Sequence, residues 1–305
     1  MLAAAAILGA TNAGPATAQT SAPAAASAPA SQSEVTAEVT VTARRAELAP
    51  RVAKFVDQIA VRHNDEGLPR WQDPVCPLIT GLSRADGEFM LGRISQIAGA
   101  ANAPLAGEHC RPNLFIFVTT QPVQLLQAMQ NQKRDVSFGD ATPTVVDEFI
   151  RTPLPVRVWY NTTMRTPEGT PPNQGLPNAA QVLGTGLPGI RVYNDLDRTS
   201  HVLLSKTWSF SDVFVIADEA RLRSVTRGQF ADYVALVGLA NIKPDAHLGD
   251  AQTILKLFDG APQAALPGLS DWDQAFLKSL YATEQISATQ RSHIANSIVR
   301  EVLRK

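Results

Sequence analysis

The apolar residues of this chain recur in two periods, and each period predicts its own kind of element. Val52, Phe55, Val56 and Ile59 step along one helical face between Pro50 and Val61, with Pro50 suited to a first turn. Val75 to Leu82 is a short apolar run flanked by prolines and predicts a strand, and Ala85 to Ala101 predicts a helix carrying Phe89, Leu91, Ile94, Ile97 and Ala98. Leu114-Phe115-Ile116-Phe117-Val118 is unbroken and β-prone, the mark of a strand covered on both faces. Val123 to Asn131 and Thr144 to Ile150 predict short helices, and Val156 to Tyr160 alternates like a strand.

Beyond Tyr160 the periodicity is lost. Asn161 to Gly189 is rich in Pro, Gly, Asn and Thr and predicts a long loop, of the kind that binds, covers a site or is disordered. Strands are expected again at Ile190 to Tyr193 and across His201 to Ile216, with a hairpin turn at Ser209-Phe210-Ser211. The apolar strand Asp212 to Asp218 leads to a helix from Thr226 to about Ile242, opened by the capping-box pattern Thr226-Arg227-Gly228-Gln229. Ser270 caps a helix with the stripe Trp272, Phe276, Leu277, Leu280 and Tyr281. A second capping box, Ser287-Ala288-Thr289-Gln290, precedes Ile294, Ile298 and Val302. The expected architecture is α+β: a mixed sheet packed with helices, in one domain from about Ala46 to Lys305, its C-terminal third helical.

The N-terminus is different in kind. Met1 to Ala18 is uncharged and ends in Ala16-Thr17-Ala18, an Ala-x-Ala cleavage pattern, so a signal peptide is expected over residues 1–18. It lacks the usual positive n-region, which points to a start upstream or a misassigned start codon. Residues 19–45 predict a disordered Ala/Ser/Pro tether, because such a composition buries too little apolar surface to offset its ordering entropy. No other stretch reaches the ~18 apolar residues that span a membrane. Together these place the protein in the periplasm or outside a bacterial cell.

Cys76 and Cys110 are an even pair and fit that compartment. The favoured reading is a disulfide, closing a loop of about 34 residues; a metal pair or two buried thiols are the rival readings. The 305 residues are 45% hydrophobic and 18% charged, ordinary for a packed domain, and a net charge of −1 supplies no field to attract nucleic acid.

Local chemistry is sparse. Gly184-Thr185-Gly186-Leu187-Pro188-Gly189 matches a dinucleotide fingerprint in letters only, since Pro188 interrupts it and a strand pattern follows. His63, His109, His201, His247 and His293 include no i, i+4 pair to hold a metal, and G-x-S-x-G and S-x-x-K are absent. Asp195 with Asp197 reads as a turn, and Asp271 with Asp273 as the charged first turn of a helix. No cofactor is called for.

From Ile190 to Leu280 the chain resembles a family of uncharacterised exported proteobacterial proteins with a zincin-like, metalloprotease fold. The resemblance rests on the helix ending Val237-Gly238-Leu239-Ala240-Asn241 and on Thr253-Ile254-Leu255-Lys256-Leu257-Phe258. Leu269-Ser270-Asp271-Trp272-Asp273 and Phe276 to Tyr281 complete it. In that family the helix carries a His-Glu pair followed by Gln or His, and those positions fall here on Ala231, Asp232 and Ala235. An alanine methyl has no lone pair to give a metal, and Asp232 is one methylene shorter than the Glu. The resemblance therefore implies a degenerate metal site and a pseudoenzyme. Ala231, Ala235 and Gly238 are equally the small residues of a close-packed helix face.

Two functions are carried forward. The first is a non-catalytic domain that binds an envelope peptide or protein through the old protease-like cleft. The alternative is a hydrolase with a dispersed site drawn from His201, Asp218 and Asp232. Glu38 to Arg45 also looks like the extended segment by which outer-membrane receptors engage their energy-transducing partner TonB.

Overall fold

The computed structural model describes residues 32–61, 67–131, 138–139, 141–165, 207–243, 246, 248–260, 266–285 and 289–304. It divides into residues 1–40, of which only the start of a helix is described, and a compact unit, Val41–Lys305. The signal, the expected strand at Ile190 to Tyr193, the Gly184 to Gly189 motif, Asp195, Asp197 and His201 lie outside the described residues.

Seven α-helices and a four-stranded sheet are described. The helices are α1 (Gln32–Ile59), α2 (Arg84–Ala101), α3 (Pro122–Asn131), α4 (Pro143–Arg151), α5 (Arg227–Leu239), α6 (Asp271–Ala282) and α7 (Gln290–Leu303). The strands are β1 (Pro77–Thr80), β2 (Leu114–Thr119), β3 (Val156–Arg165) and β4 (Thr207–Asp218). Strand order is β1-β2-β4-β3, with β1, β2 and β4 parallel and β3 antiparallel to β4. The fold is thus α+β with a mixed sheet, as the pattern predicts.

The unbroken apolar run of β2 is explained by cover on both faces. Leu114 and Ile116, aligned with Val213 and Val215 of β4, face the main core, to which α1, α2, α5, α6 and α7 all contribute. Phe115 and Phe117, with Phe214 and Ile216, face the smaller cluster built by α3 and α4 around Leu126, Met129, Val146 and Ile150. Phe115 stacks on Phe214 with ring centroids 5.0 Å apart.

Three expectations are corrected. The expected tether from Gln32 on and the extended Glu38 to Arg45 segment fall where α1 runs, with Pro50 in its interior, while residues 19–31 lie outside the described residues. The apolar stripe Val52, Phe55, Val56 and Ile59 is almost wholly buried, and a helix so anchored extends cheaply through neighbouring Ala, Arg and Glu. Ser209-Phe210-Ser211 makes no hairpin. It runs within β4, where the pairing slips between Asn161↔Asp212 and Thr162↔Phe210 and leaves Ser211 as a bulge. At α7 the N-cap is Thr289, without a side-chain cap, and Gln290 accepts from the Leu68 N–H at 2.7 Å instead.

The disulfide is formed. Cys76 and Cys110 are bonded, with Cα atoms 6.0 Å apart. No helix among the described residues is long and apolar enough to cross a membrane.

The cap of α6 supplies a pH probe. Ser270 and Asp273 form a capping box, and the fully buried Asp273 carboxylate also accepts from the Thr253 hydroxyl (2.5 Å) and the Ile254 N–H (2.8 Å). Burial pushes this carboxyl above the usual carboxylate range; the bonds from Thr253, Ile254 and Ser270 oppose the shift without overcoming it. Because the folded value lies above the unfolded one, Asp273 adds stability below the model-peptide value of 3.8, and that addition fades as pH rises through the folded value. Asp273→Asn, which carries no charge to bury, is therefore expected to gain on the native protein as pH rises from 4 to 8 in urea denaturation. A pH-independent difference would show an unperturbed carboxylate.

Candidate functional site

Helix α5 is apolar nearly all round, and such a helix must be enclosed. Its capping box is present: Thr226 accepts from the Gln229 N–H at 3.2 Å and Gln229 accepts from the Thr226 N–H at 3.0 Å. Its C-terminal end meets three aromatic donors. Tyr160 donates to the carbonyl of Val237 (2.8 Å), Trp71 to Gly238 (2.8 Å) and Tyr281 to Leu239 (2.7 Å). The last carbonyls of a helix have no partner within it, so these donors satisfy groups that burial would otherwise penalise. Burial in turn pushes the hydroxyls of Tyr160 and Tyr281 well above the usual tyrosine value.

Ala231 and Ala235 are both fully buried members of the main core. A methyl added at Gly238 would sit 3.1 Å from the Leu114 side chain of β2. The small residues therefore bring α5 close to its neighbours and line a packed interface. They do not open onto a cleft.

Asp232 is the lone charge between Arg227 and Lys243, and it too is buried, with 3% of its side chain exposed. Both oxygens are occupied. Arg93 of α2 donates through Nε to Oδ1 (2.5 Å) and through Nη2 to Oδ2 (2.9 Å), and the Leu269 N–H adds a third bond to Oδ2 at 2.8 Å. Donation to Asp232 raises the already high Arg93 value further. Gly268 is required beside it, because a Cβ there would lie 2.5 Å from Oδ2. Gln229 holds the same stretch by donating to the Leu266 carbonyl at 2.8 Å. The carboxylate thus clamps α2 and residues 266–270 onto α5.

This clamp sets the size of a mutational effect. Removing one partner of a buried pair typically costs about 3–5 kcal/mol, and Arg93, with 35% of its side chain exposed, recovers some hydration. Asp232→Ala is expected to lose about 3 kcal/mol, and Asp232→Asn, which still accepts from Leu269, roughly half of that. Denaturant unfolding reads both. A loss under about 1 kcal/mol for the alanine variant would refute a structural role.

Beside the clamp runs a groove of ≈ 390 Å³ between α2, α6 and α7. Ile97, Leu269 and Leu277 give it an apolar floor, while Arg93, Lys278, Asp271 and Glu301 bring both charges to its lining. Lys278 and Glu301 approach to 3.4 Å.

The sequence candidates do not converge among the described residues. Asp218 ends β4, where it accepts from the Ala220 N–H at 3.1 Å and pairs with Arg221 at 3.7 Å; it shares no partner with Asp232. His109 lies in an exposed turn with a φ of 60°, and His293 is exposed on the first turns of α7. No cluster of three or more His, Cys, Asp and Glu able to hold a metal occurs among the described residues. Sequence reasoning missed Arg93, whose partner lies 139 positions away, though a lone buried-looking acid in an apolar helix already demands one. Compared with protein-family models, curated proteins and solved structures, the chain matches none.

Proposed function

We propose that this chain is a non-catalytic exported domain that binds a peptide or protein in the cell envelope, on a protease-like, zincin-like scaffold that has lost its metal ligands. The observation that carries the reading is the state of Asp232. A general base needs a lone pair open to water, and the Asp232 carboxylate is only 3% exposed and already bonded through both oxygens, to Arg93 and Leu269. The binding surface in this reading is the groove between α2, α6 and α7, displaced from the buried alanine face. An apolar floor with both charges in its lining suits a peptide that offers an apolar side chain flanked by polar ones. Export is supported by the disulfide, a bond that persists in oxidising compartments.

Metal analysis of the purified protein and incubation with a mixed peptide library test the first half of the reading, with neither bound zinc nor cleavage expected. Fluorescence polarisation with labelled library peptides tests the second. Saturable binding should disappear in Ala100→Trp, which fills the groove from an exposed position on α2. Stoichiometric zinc together with peptide cleavage overturns the proposal, as does binding that Ala100→Trp leaves intact.

A further inference from the structure

A second hollow, of ≈ 380 Å³, lies at the carboxyl ends of β2 and β4, whose last residues Thr119 and Asp218 are paired. The chain leaves these neighbouring strands in opposite directions. From β2 it passes to α3, which packs on the Phe115 and Phe214 face; from β4 it passes to α5, on the Leu114 and Val213 face. Adjacent parallel strands whose connections diverge leave a crevice beyond their carboxyl ends, the place where open α/β sheets bind ligands.

The chemistry gathered there is cationic. Helix α3 begins at Pro122, and the N–H groups of Val123 and Gln124 in its first turn precede any intrahelical acceptor, so its positive end faces the hollow. Arg157 of β3 lines the same hollow and is 3% exposed. Its Nε donates to the Thr152 carbonyl at 2.8 Å, while its buried Nη1 has no partner among the described residues. A buried guanidinium nitrogen left without an acceptor is costly and is rare in folded proteins. Burial also lowers the Arg157 value, the direction of a cation short of counter-charge; nearby Asp218 opposes that shift and Arg221 adds to it. Arg221 reaches the rim and Asp218 supplies the one negative charge.

The geometry points to an oxyanion site in this crevice, in which Arg157, Arg221 and the first turn of α3 bind the carboxylate of a small organic acid. Two guanidinium groups against one carboxylate leave a single positive charge, which matches a monoanion. Val123 and Leu154 on the wall suit a short apolar tail. Charge-assisted bonds from an arginine fork and free helix N–H groups favour such a group without a metal. The site is separate from the groove proposed for peptides and stands or falls independently of it.

Butyrate is the probe, with butyramide as its neutral counterpart and inorganic phosphate as the competing oxyanion. In a ¹⁵N NMR titration of the full chain, the Val123 and Gln124 amide signals should move saturably with butyrate and stay in place with butyramide. Arg221→Ala, on an exposed side chain that leaves the core intact, should weaken butyrate about tenfold, the loss of one partly exposed charge-assisted contact. Arg157→Met should abolish binding, with far-ultraviolet circular dichroism reporting that the chain is folded. No saturable shift with butyrate, equal shifts with butyramide, or saturation by phosphate alone each overturns the assignment. An Arg221→Ala variant that binds as the native chain does also overturns it.

Discussion

Trp71→Ala is expected to destabilise the fold by about 5 kcal/mol, near the upper limit for a single large-to-small change. Two losses combine in it. The indole is 1% exposed and packs edge-on against Phe210 at 5.3 Å, so its removal leaves a cavity between the sheet and α5. Its Nε1 also donates to the Gly238 carbonyl, which would be stranded at the end of a buried helix. Trp71→Phe separates the two, because a benzyl ring retains most of the volume but donates nothing. That variant should lose about 1–2 kcal/mol, Tyr281→Phe, which deletes the bond to Leu239, about 1 kcal/mol, and Tyr160→Phe, which deletes the bond to Val237 and the one accepted from the Ile242 N–H, about 1–2 kcal/mol. Urea denaturation of the four variants measures the set. If Trp71→Phe, Tyr160→Phe and Tyr281→Phe are all as stable as the native protein, water replaces these donors freely and the aromatic cap has no energetic meaning.

Reducing the Cys76–Cys110 bond is expected to cost about 3–4 kcal/mol, the chain-entropy value for a loop of this length. The bridge ties the start of β1 to the turn before β2. Asn113 works at the same junction: its side chain accepts from the Cys76 N–H at 2.7 Å, and its N–H donates back to the Cys76 carbonyl at 3.0 Å. Register at that edge of the sheet thus rests on local hydrogen bonds as well as on the covalent link, so the reduced protein should still fold at room temperature, with a lower midpoint. Thermal unfolding with and without dithiothreitol checks this. The Cys76→Ser, Cys110→Ser double variant should behave as the reduced protein does and ignore the reductant. A native midpoint that dithiothreitol leaves unchanged, in protein shown by thiol titration to be reduced, would mean that the bridge contributes nothing.

Residues 231 to 238 show how far the sequence could be read. Alanine, alanine and glycine at those positions fit two accounts, a metal site stripped of ligands and a helix packed closely against its neighbours. The amino acids are the same in both; what differs is what lies opposite. Here Leu114 lies opposite Gly238, and both alanines are enclosed. The adjacent carboxylate gave a firmer hint, since an acid enclosed by apolar neighbours must be paired, but nothing in its surroundings along the chain singled out Arg93. Glu38 to Arg45 failed in another way. Its valines and threonines favour extended backbone, a preference of tenths of a kcal/mol per residue that the anchored helix beyond it overrides.

What the sequence by itself determined were features set by neighbours along the chain. The caps at Thr226 and Ser270, the strand from Leu114 to Val118, the helical stripe from Val52 to Ile59 and the cysteine pair all follow from spacings of a few residues or from composition. Only the tertiary structure decided which distant groups meet. Trp71, Tyr160 and Tyr281 converge on three successive carbonyls, Arg93 reaches Asp232, and Arg157 arrives beside the first turn of α3. A spacing of three or four residues fixes a distance through the geometry of one helical turn. A separation of a hundred residues fixes none until the sheet order and the path of each connection are known.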